Sequence, residues 1–237
     1  MQRYFAKEKI NDKLILLDSD IHHIKKVMRM NKYDQIEVVY NSNVYLCQIT
    51  DLENFSLKIE KEILENNEMN VDVTIAIGIV KEQKFDLILQ KLTELGVKKI
   101  IPLKMERSIV KLDEQKYKKK KERWNTICKE ASEQSHRNIV PQITKQMTID
   151  ELIKEENDYK YVCSTQEENN LIVNYLPNNL NCAKIIFVIG PEGGITPNEE
   201  EKLKNAGYIP VSFGKRILRV ETAAIYISSI LDYCSLR

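Results

Sequence analysis

The stretch that decides the fold is Lys184–Leu231, KIIFVIGPEGGITPNEEEKLKNAGYIPVSFGKRILRVETAAIYISSIL. Ile185–Ile189 is an unbroken apolar run of strand length, the pattern of a strand covered on both faces. Gly190-Pro191-Glu192-Gly193-Gly194 follows as a turn, where three glycines permit positive φ and let a ligand approach peptide groups closely. Thr196-Pro197-Asn198-Glu199 then opens a helix with a capping box and proline at its first position. The pattern recurs downstream. Tyr208–Phe213 reads as a strand and Gly214-Lys215-Arg216 as a turn. Ile217-Leu218-Arg219-Val220 follows, and Glu221-Thr222 starts a helix-compatible stretch over Ala223–Leu231. Two loops at strand ends, each leading into a helix, can together wall a pocket for a planar base.

Upstream, Val71–Val80 reads as a β-branched strand, and Asp86–Leu95 as a helix ended by Gly96. Val97–Leu103 resumes as a strand. A long helix is predicted over Asp113–Ser135, with further strands at Tyr159–Ser164 and Lys184–Ile189. Strands separated by helices predict an α/β domain with a mostly parallel sheet, whose ligand sites lie beyond the carboxyl ends of the strands. The first sixty-odd residues read differently. Gln35–Tyr40, Val44–Thr50 and Phe55–Leu64 are strand-like, with a turn at Asn41-Ser42-Asn43. Asp20–Met30 has helical spacing behind the candidate N-caps Asp18 and Ser19. The polar, unpatterned Glu65–Asn70 marks a boundary between a small β-rich module, residues 1–68, and a larger domain, residues 71–237.

Composition narrows the function. A 43% hydrophobic and 30% charged chain of 237 residues is globular in character, and no apolar stretch reaches the length of a membrane span. The N-terminus runs into Arg3, Lys7 and Lys9 without an apolar signal core, so a cytoplasmic location is expected. Five scattered cysteines, with no C-x-x-C pair and no histidine at ligand spacing, read as free thiols and give no metal site. A net charge of +1 does not announce nucleic-acid binding, but its distribution is uneven. Lys98–Arg123 carries eleven Lys and Arg against four acids, which fits either phosphate contact or a solvated helix face.

The neighbours of the glycine turn bear on its ligand. A phosphate at that helix N-terminus would face Glu192, Glu199, Glu200 and Glu201, and the spacing matches neither G-x-G-x-x-G nor G-x-x-x-x-G-K-[ST]. An uncharged or cationic ligand suits the loop better. S-adenosylmethionine has that character, pairing a phosphate-free adenosine with a positive sulfonium.

GPEGG followed by FGKRILRVETAA resembles the signature of the bacterial 16S ribosomal RNA (uridine-N3) methyltransferases of the SPOUT superfamily. The resemblance extends to His22-His23-Ile24 with Val27–Met30, to Lys81, to Gln90–Val97, and to Glu133–Asn138 with Val140-Pro141, and so to nearly the whole chain. Met28 stands where the family usually has leucine, a packing difference. The resemblance implies a PUA-like β-barrel followed by a SPOUT domain with a deep C-terminal trefoil knot. It also implies S-adenosylmethionine as cofactor, a homodimer with the active site at its interface, and 16S ribosomal RNA in the small subunit as substrate. The residues expected to hold the cofactor are Thr165, Ile189, Gly190, Pro191, Glu192, Gly193, Gly194, Phe213, Gly214, Ile217, Leu218, Arg219, Thr222 and Ala223.

Uridine N3 is a poor nucleophile until its proton leaves, so some group must favour the anion. Arginine stabilises developing charge without losing its own proton, and Arg137 and Arg219 are the candidates. Glu221 is a candidate general base, with a competing reading as an acid in the first turn of a helix. Arg3, His23, Arg29, Lys81, Lys84 and Arg137 are candidate RNA contacts. If phosphates dominate, affinity falls steeply with salt. The alternatives are action on 23S or transfer RNA, a non-catalytic RNA-binding protein, and a nucleotide-dependent enzyme.

Overall fold

The computed structural model describes residues 1–236, which divide into two compact units. The first comprises Met1–Glu68 with Lys129–Val140, and the second Met69–Cys128 with Pro141 onward. The sequence places residues 129–140 in the larger domain; by contacts they group with the smaller.

In the first unit β1 (Arg3–Phe5), β4 (Gln35–Tyr40), β5 (Asn43–Asp51) and β6 (Ser56–Ile63) form one sheet in that order, and β2 (Glu8–Ile10) pairs with β3 (Lys13–Ile15). β1 runs parallel to β4, and β4–β5–β6 is an antiparallel meander. The β4–β5 turn uses Asn41 at φ 49° and Ser42 at φ 66°, the paired left-handed conformation that matches the twist of a two-residue hairpin. Alternate residues of β4 and β5, including Ile36, Val38, Cys47 and Ile49, are buried with Tyr4, Leu14, Leu16 and Ile24. The helix expected over Asp20–Met30 starts earlier, as α1 (Asp18–His22), and continues as a π-helical turn over His23–Val27. Its N-cap is Leu17, with no side-chain cap, so Asp18 and Ser19 lie inside the helix.

The Glu65–Asn70 stretch is not a loose linker at its start. Glu68 accepts from Arg137 Nη2 at 2.5 Å and from the amides of Asn138 and Ile139, and Glu65 accepts from Arg3 at 2.7 Å. Glu65 and Glu68 are polar for ion pairing, while Asn66, Asn67 and Asn70 are exposed.

The second unit is built on six parallel strands in the order β12-β10-β11-β7-β8-β9. They are β7 (Asp72–Gly78), β8 (Lys99–Leu103), β9 (Gln142–Ile143), β10 (Tyr159–Cys163), β11 (Lys184–Ile189) and β12 (Ile209–Val211). Five of six β11 residues are buried, each apolar side chain contributing about 1.5–3 kcal/mol relative to exposure; a charge at Val188 would break the layer. α2 (Glu82–Glu94) buries Phe85, Ile88, Leu89 and Leu92 on one face. It ends at Gly96, φ +79°, where glycine carries no steric penalty. Trp124 of α3 (Glu114–Gln134) packs on Phe85 at 4.6 Å between ring centroids. The short α4 (Ile149–Leu152) precedes β10, α5 (Pro197–Asn205) follows β11, and α6 (Val220–Ser235) follows β12. Cys163 pairs in register with both Ile189 and Val211. The chain therefore leaves β10, β11 and β12 at one level, and three loops emerge side by side.

Candidate active site

Those three loops, with Lys84 and Arg107, enclose a cleft of about 1840 Å³ wholly within the second unit. Pockets for small ligands run to about 300–1,000 Å³, so this volume exceeds one nucleoside-sized ligand and leaves room for a second reactant.

The β11 loop sets the floor. Gly194 has φ +74°, and its amide closes a turn onto the Pro191 carbonyl at 2.8 Å. The other two glycines serve a purpose different from the expected ligand approach. A Cβ on Gly190 would meet Ile195 Cγ1 at 2.7 Å, and one on Gly193 would meet Arg107 Cβ at 2.9 Å. Their bare Cα atoms accommodate protein. The helix beyond starts as the sequence predicts, with Thr196 and Glu199 forming a reciprocal capping box and Pro197 in the first turn.

The four carboxylates near this turn are largely engaged. Glu199 is buried and accepts from the Thr196 amide at 3.0 Å and the Glu106 amide at 2.9 Å. Glu200 accepts from Ser164 Oγ at 2.9 Å and pairs with Lys204 at 2.8 Å. Glu192 pairs with Lys84 at 3.1 Å. Glu192, Glu200 and Glu201 line the cleft beside Lys84, Lys204 and Arg107, so that wall carries both signs of charge. Cys163 also lines it, and burial pushes its thiol pKa up, which opposes formation of a reactive thiolate.

The second wall is Phe213–Val220 together with Ala223. Gly214 has φ +104°, and a Cβ added there would meet nothing within 4 Å, so backbone conformation alone favours glycine. Phe213 packs against Tyr226 at 5.5 Å between centroids. Among the described residues, no protein acceptor meets the amides of Ile217, Leu218 or Arg219. Arg219 is exposed at the N-cap of α6.

The cleft brings together Thr165, Ile189, Gly190–Gly194, Phe213, Gly214, Ile217, Leu218, Arg219 and Ala223 of the residues named from sequence. Thr222 and Glu221 do not line it; Glu221 lies in the first turn of α6 with one carboxylate oxygen buried and unbonded among the described residues. Ser164, Glu200, Arg107 and Arg216 also line the cleft, beyond the residues expected from sequence. The register of β10 with β11 brings Ser164 beside the glycine turn, and Arg107 arrives from the segment after β8.

Arg3 and Arg137 of the first unit have other partners. Arg3 has a fully buried side chain paired with Glu37 and Glu65, and it donates to the His136 carbonyl at 2.5 Å. A guanidinium so enclosed cannot grip RNA phosphate. Arg137 is 2% exposed and paired with Glu68, an environment that suits structure rather than contact with a reacting base. His23 shares a hydrogen bond with Tyr4 Oη at 3.0 Å. Arg29 and Lys81 are exposed, and Lys84 is taken by Glu192. Much of the Lys98–Arg123 run is also paired: Lys98 with Asp72, Lys99 with Glu155, Lys120 and Arg123 with Glu82. Lys118 and Lys119 remain exposed.

The RNA methyltransferase domain family matches residues 67–232, and the RNA methyltransferase PUA domain family matches residues 16–62. Ribosomal RNA small subunit methyltransferase E of Bacillus subtilis is 36% identical, covering 98% of this chain and 96% of its own length. The chain belongs to the ribosomal RNA small subunit methyltransferase E family. The family's enzyme from Neisseria gonorrhoeae, bound to S-adenosyl methionine, superposes with a TM-score of 0.88 at 29% identity, over 98% of this chain and 97% of that one. A Legionella pneumophila protein in complex with SAM gives a TM-score of 0.90 at 27% identity, over 98% and 97%. The SPOUT-type α/β fold with its PUA-like module is thereby established for this methyltransferase E family member. Among the described residues, no helix is long and apolar enough to cross a membrane.

Proposed function

We propose that this protein uses S-adenosylmethionine to methylate N3 of a uridine in 16S ribosomal RNA. The observation that carries the reading is the in-register exit of β10, β11 and β12, which joins the glycine turn and the Phe213–Arg219 segment in one cleft. The residues fit the cofactor. Apolar Ile189, Leu218, Val220 and Ala223 offer surface to a purine, the unpaired amides of Ile217–Arg219 can read its edge, and carboxylates tolerate a positive sulfonium. When bound, S-adenosylmethionine supplies an electrophilic methyl group.

The chain's own work is positioning and electrostatics. The cleft holds two reactants in line, which removes much of the entropic cost of their meeting. Arg219, exposed at the cleft and free to turn toward a base, stabilises the negative charge that develops on the uridine oxygens as N3 loses its proton. Glu221 acts as an acid in the first turn of α6, complementing the helix dipole. Exposed Arg29 and Lys81 contact RNA phosphates. The family resemblance implies a trefoil knot in the second unit. The exposed Tyr226 and Tyr233 on one side of α6, with the exposed Leu236 at its C-cap, support a homodimer seam. The family implies action in the cytoplasm, on the small ribosomal subunit.

The test is mass spectrometry of ribosomal RNA from a deletion strain with and without the gene restored. Loss of 3-methyluridine from 16S RNA, returned by the wild-type gene, is the expected result. Unchanged 3-methyluridine refutes the substrate, and loss from 23S or transfer RNA instead reassigns it.

A further inference from the structure

We infer that Arg107 is a positioning residue for the cofactor: its guanidinium locks the Gly190–Gly194 turn in the shape that admits S-adenosylmethionine. The inference rests on the cofactor reading above and adds a residue to it. Arg107 lies after β8, two strands away from β11 in the sheet. Its Nη1 nevertheless reaches the Gly193 carbonyl at 3.2 Å and the Ile195 carbonyl at 3.4 Å.

Those two carbonyls belong to peptide planes that are also held from their other side. The N–H of the plane following Gly193 is the Gly194 amide, which donates to Pro191 at 2.8 Å. The N–H of the plane following Ile195 is the Thr196 amide, which donates to Glu199 at 3.0 Å. A trans peptide is rigid, so fixing its C=O and its N–H fixes the plane. Between two locked planes lies a third, whose N–H on Ile195 has no protein acceptor among the described residues. The turn is thus clamped on both flanks of a peptide left open.

The contact is built into the backbone on both sides. A side chain on Gly193 would strike Arg107 Cβ at 2.9 Å and its carbonyl oxygen at 3.0 Å. A side chain on Gly78, at the end of β7, would strike Pro191 at 2.7 Å. The residue before Arg107 donates its own amide to Glu199 at 2.9 Å, so one strut ties both the turn and the cap of α5. Flanking Met105 and Ser108 are buried and anchor the strut. An arginine suits this place because its planar, permanently charged guanidinium holds Nη1 in a fixed position between the two carbonyls; lysine offers a point charge on a freer stem.

The experiment compares wild type, Arg107→Ala and Arg107→Lys by calorimetric titration with S-adenosylmethionine, steady-state kinetics and hydrogen exchange. Losing a charge-assisted hydrogen-bonded anchor predicts a cofactor Kd raised about tenfold to a hundredfold in Arg107→Ala. KM for the cofactor rises in parallel, kcat at saturation changes little, and Arg107→Lys recovers part of the loss. Amide exchange across Gly190–Glu199 speeds up in the ligand-free Ala variant, a readout independent of turnover. An unchanged Kd and unchanged exchange in Arg107→Ala, with wild type binding normally, overturns this inference alone. A raised KM for RNA with normal cofactor binding also overturns it. Failure of wild type to bind S-adenosylmethionine overturns the cofactor reading and this inference together.

Discussion

Arg3 and Arg137 in the first unit, and Arg107 and Arg219 in the second, are the same chemical group under opposite conditions. The first two are buried and met by Glu37, Glu65 and Glu68. The second two are exposed at a cleft, and no carboxylate pairs with either among the described ion pairs. Arg3 and Arg137 are confined by their carboxylate partners and contribute to shape. Of the exposed pair, Arg107 is held by the Gly193 and Ile195 carbonyls without losing its charge, and Arg219 keeps its guanidinium available for a ligand. Sequence neighbours do not separate them, since the buried Arg3 stands before Tyr4-Phe5 and the exposed Arg219 between Leu218 and Val220. Burial is what separates them.

The sharpest way to break this contrast is Arg137→Ala. Removing one member of a buried ion pair leaves Glu68 with only the Asn138 and Ile139 amides and no countercharge, at a cost approaching about 3–5 kcal/mol. A large fall in the urea midpoint is expected, with no such fall for Arg219→Ala. Were Arg137→Ala as stable as wild type but inactive, Arg137 would belong with the reacting groups after all. Arg219→Ala tests the other half. Losing one preorganised stabiliser of developing charge lowers kcat by about 10²–10³, measured as methyl incorporation at saturating RNA and cofactor, with the fold intact by circular dichroism. Retention of most of the rate would remove Arg219 from the chemistry.

The smallest effect is a pH dependence. The Arg3 hydrogen bond holds the Glu65 carboxyl below its usual pKa. A lowered folded pKa means that Glu65 stabilises the fold above the ordinary glutamate value of about 4.3, and that this contribution fades as pH falls through the folded value. Glu65→Gln should therefore lose less stability than wild type on acidification across that window, as read from urea midpoints at neutral and acid pH. Equal losses would mean that the pair does not couple to folding.

The elements that can be read from sequence are those with a strong period or an explicit stop. β4 and β11 fall at the residues expected, and α5 begins at its capping box. Three-residue strands such as β1, β2 and β3, and the two-residue β9, are too short for any periodicity to stand out. The π-helical turn after α1 also leaves no signature in its apolar spacing. At the site, the two glycine-bearing loops are legible because their residue types are restricted by φ. Ser164, Glu200 and Arg107 are not, because they reach the cleft only through strand register. The roles of Gly190 and Gly193 escape the sequence for a related reason: a missing side chain does not say whether protein or ligand fills its place.

The strand order carries a consequence for synthesis. Val73 of β7 pairs with Ile185 of β11, so one long side of an almost wholly buried strand has no partner until most of the chain has left the ribosome. Until then β7 presents an apolar, unpaired edge, the feature that invites association with other chains, and contacts so distant in sequence form slowly. Chains cut short before Lys184 would carry that edge permanently, which makes them substrates for chaperones and proteases rather than shorter versions of the enzyme.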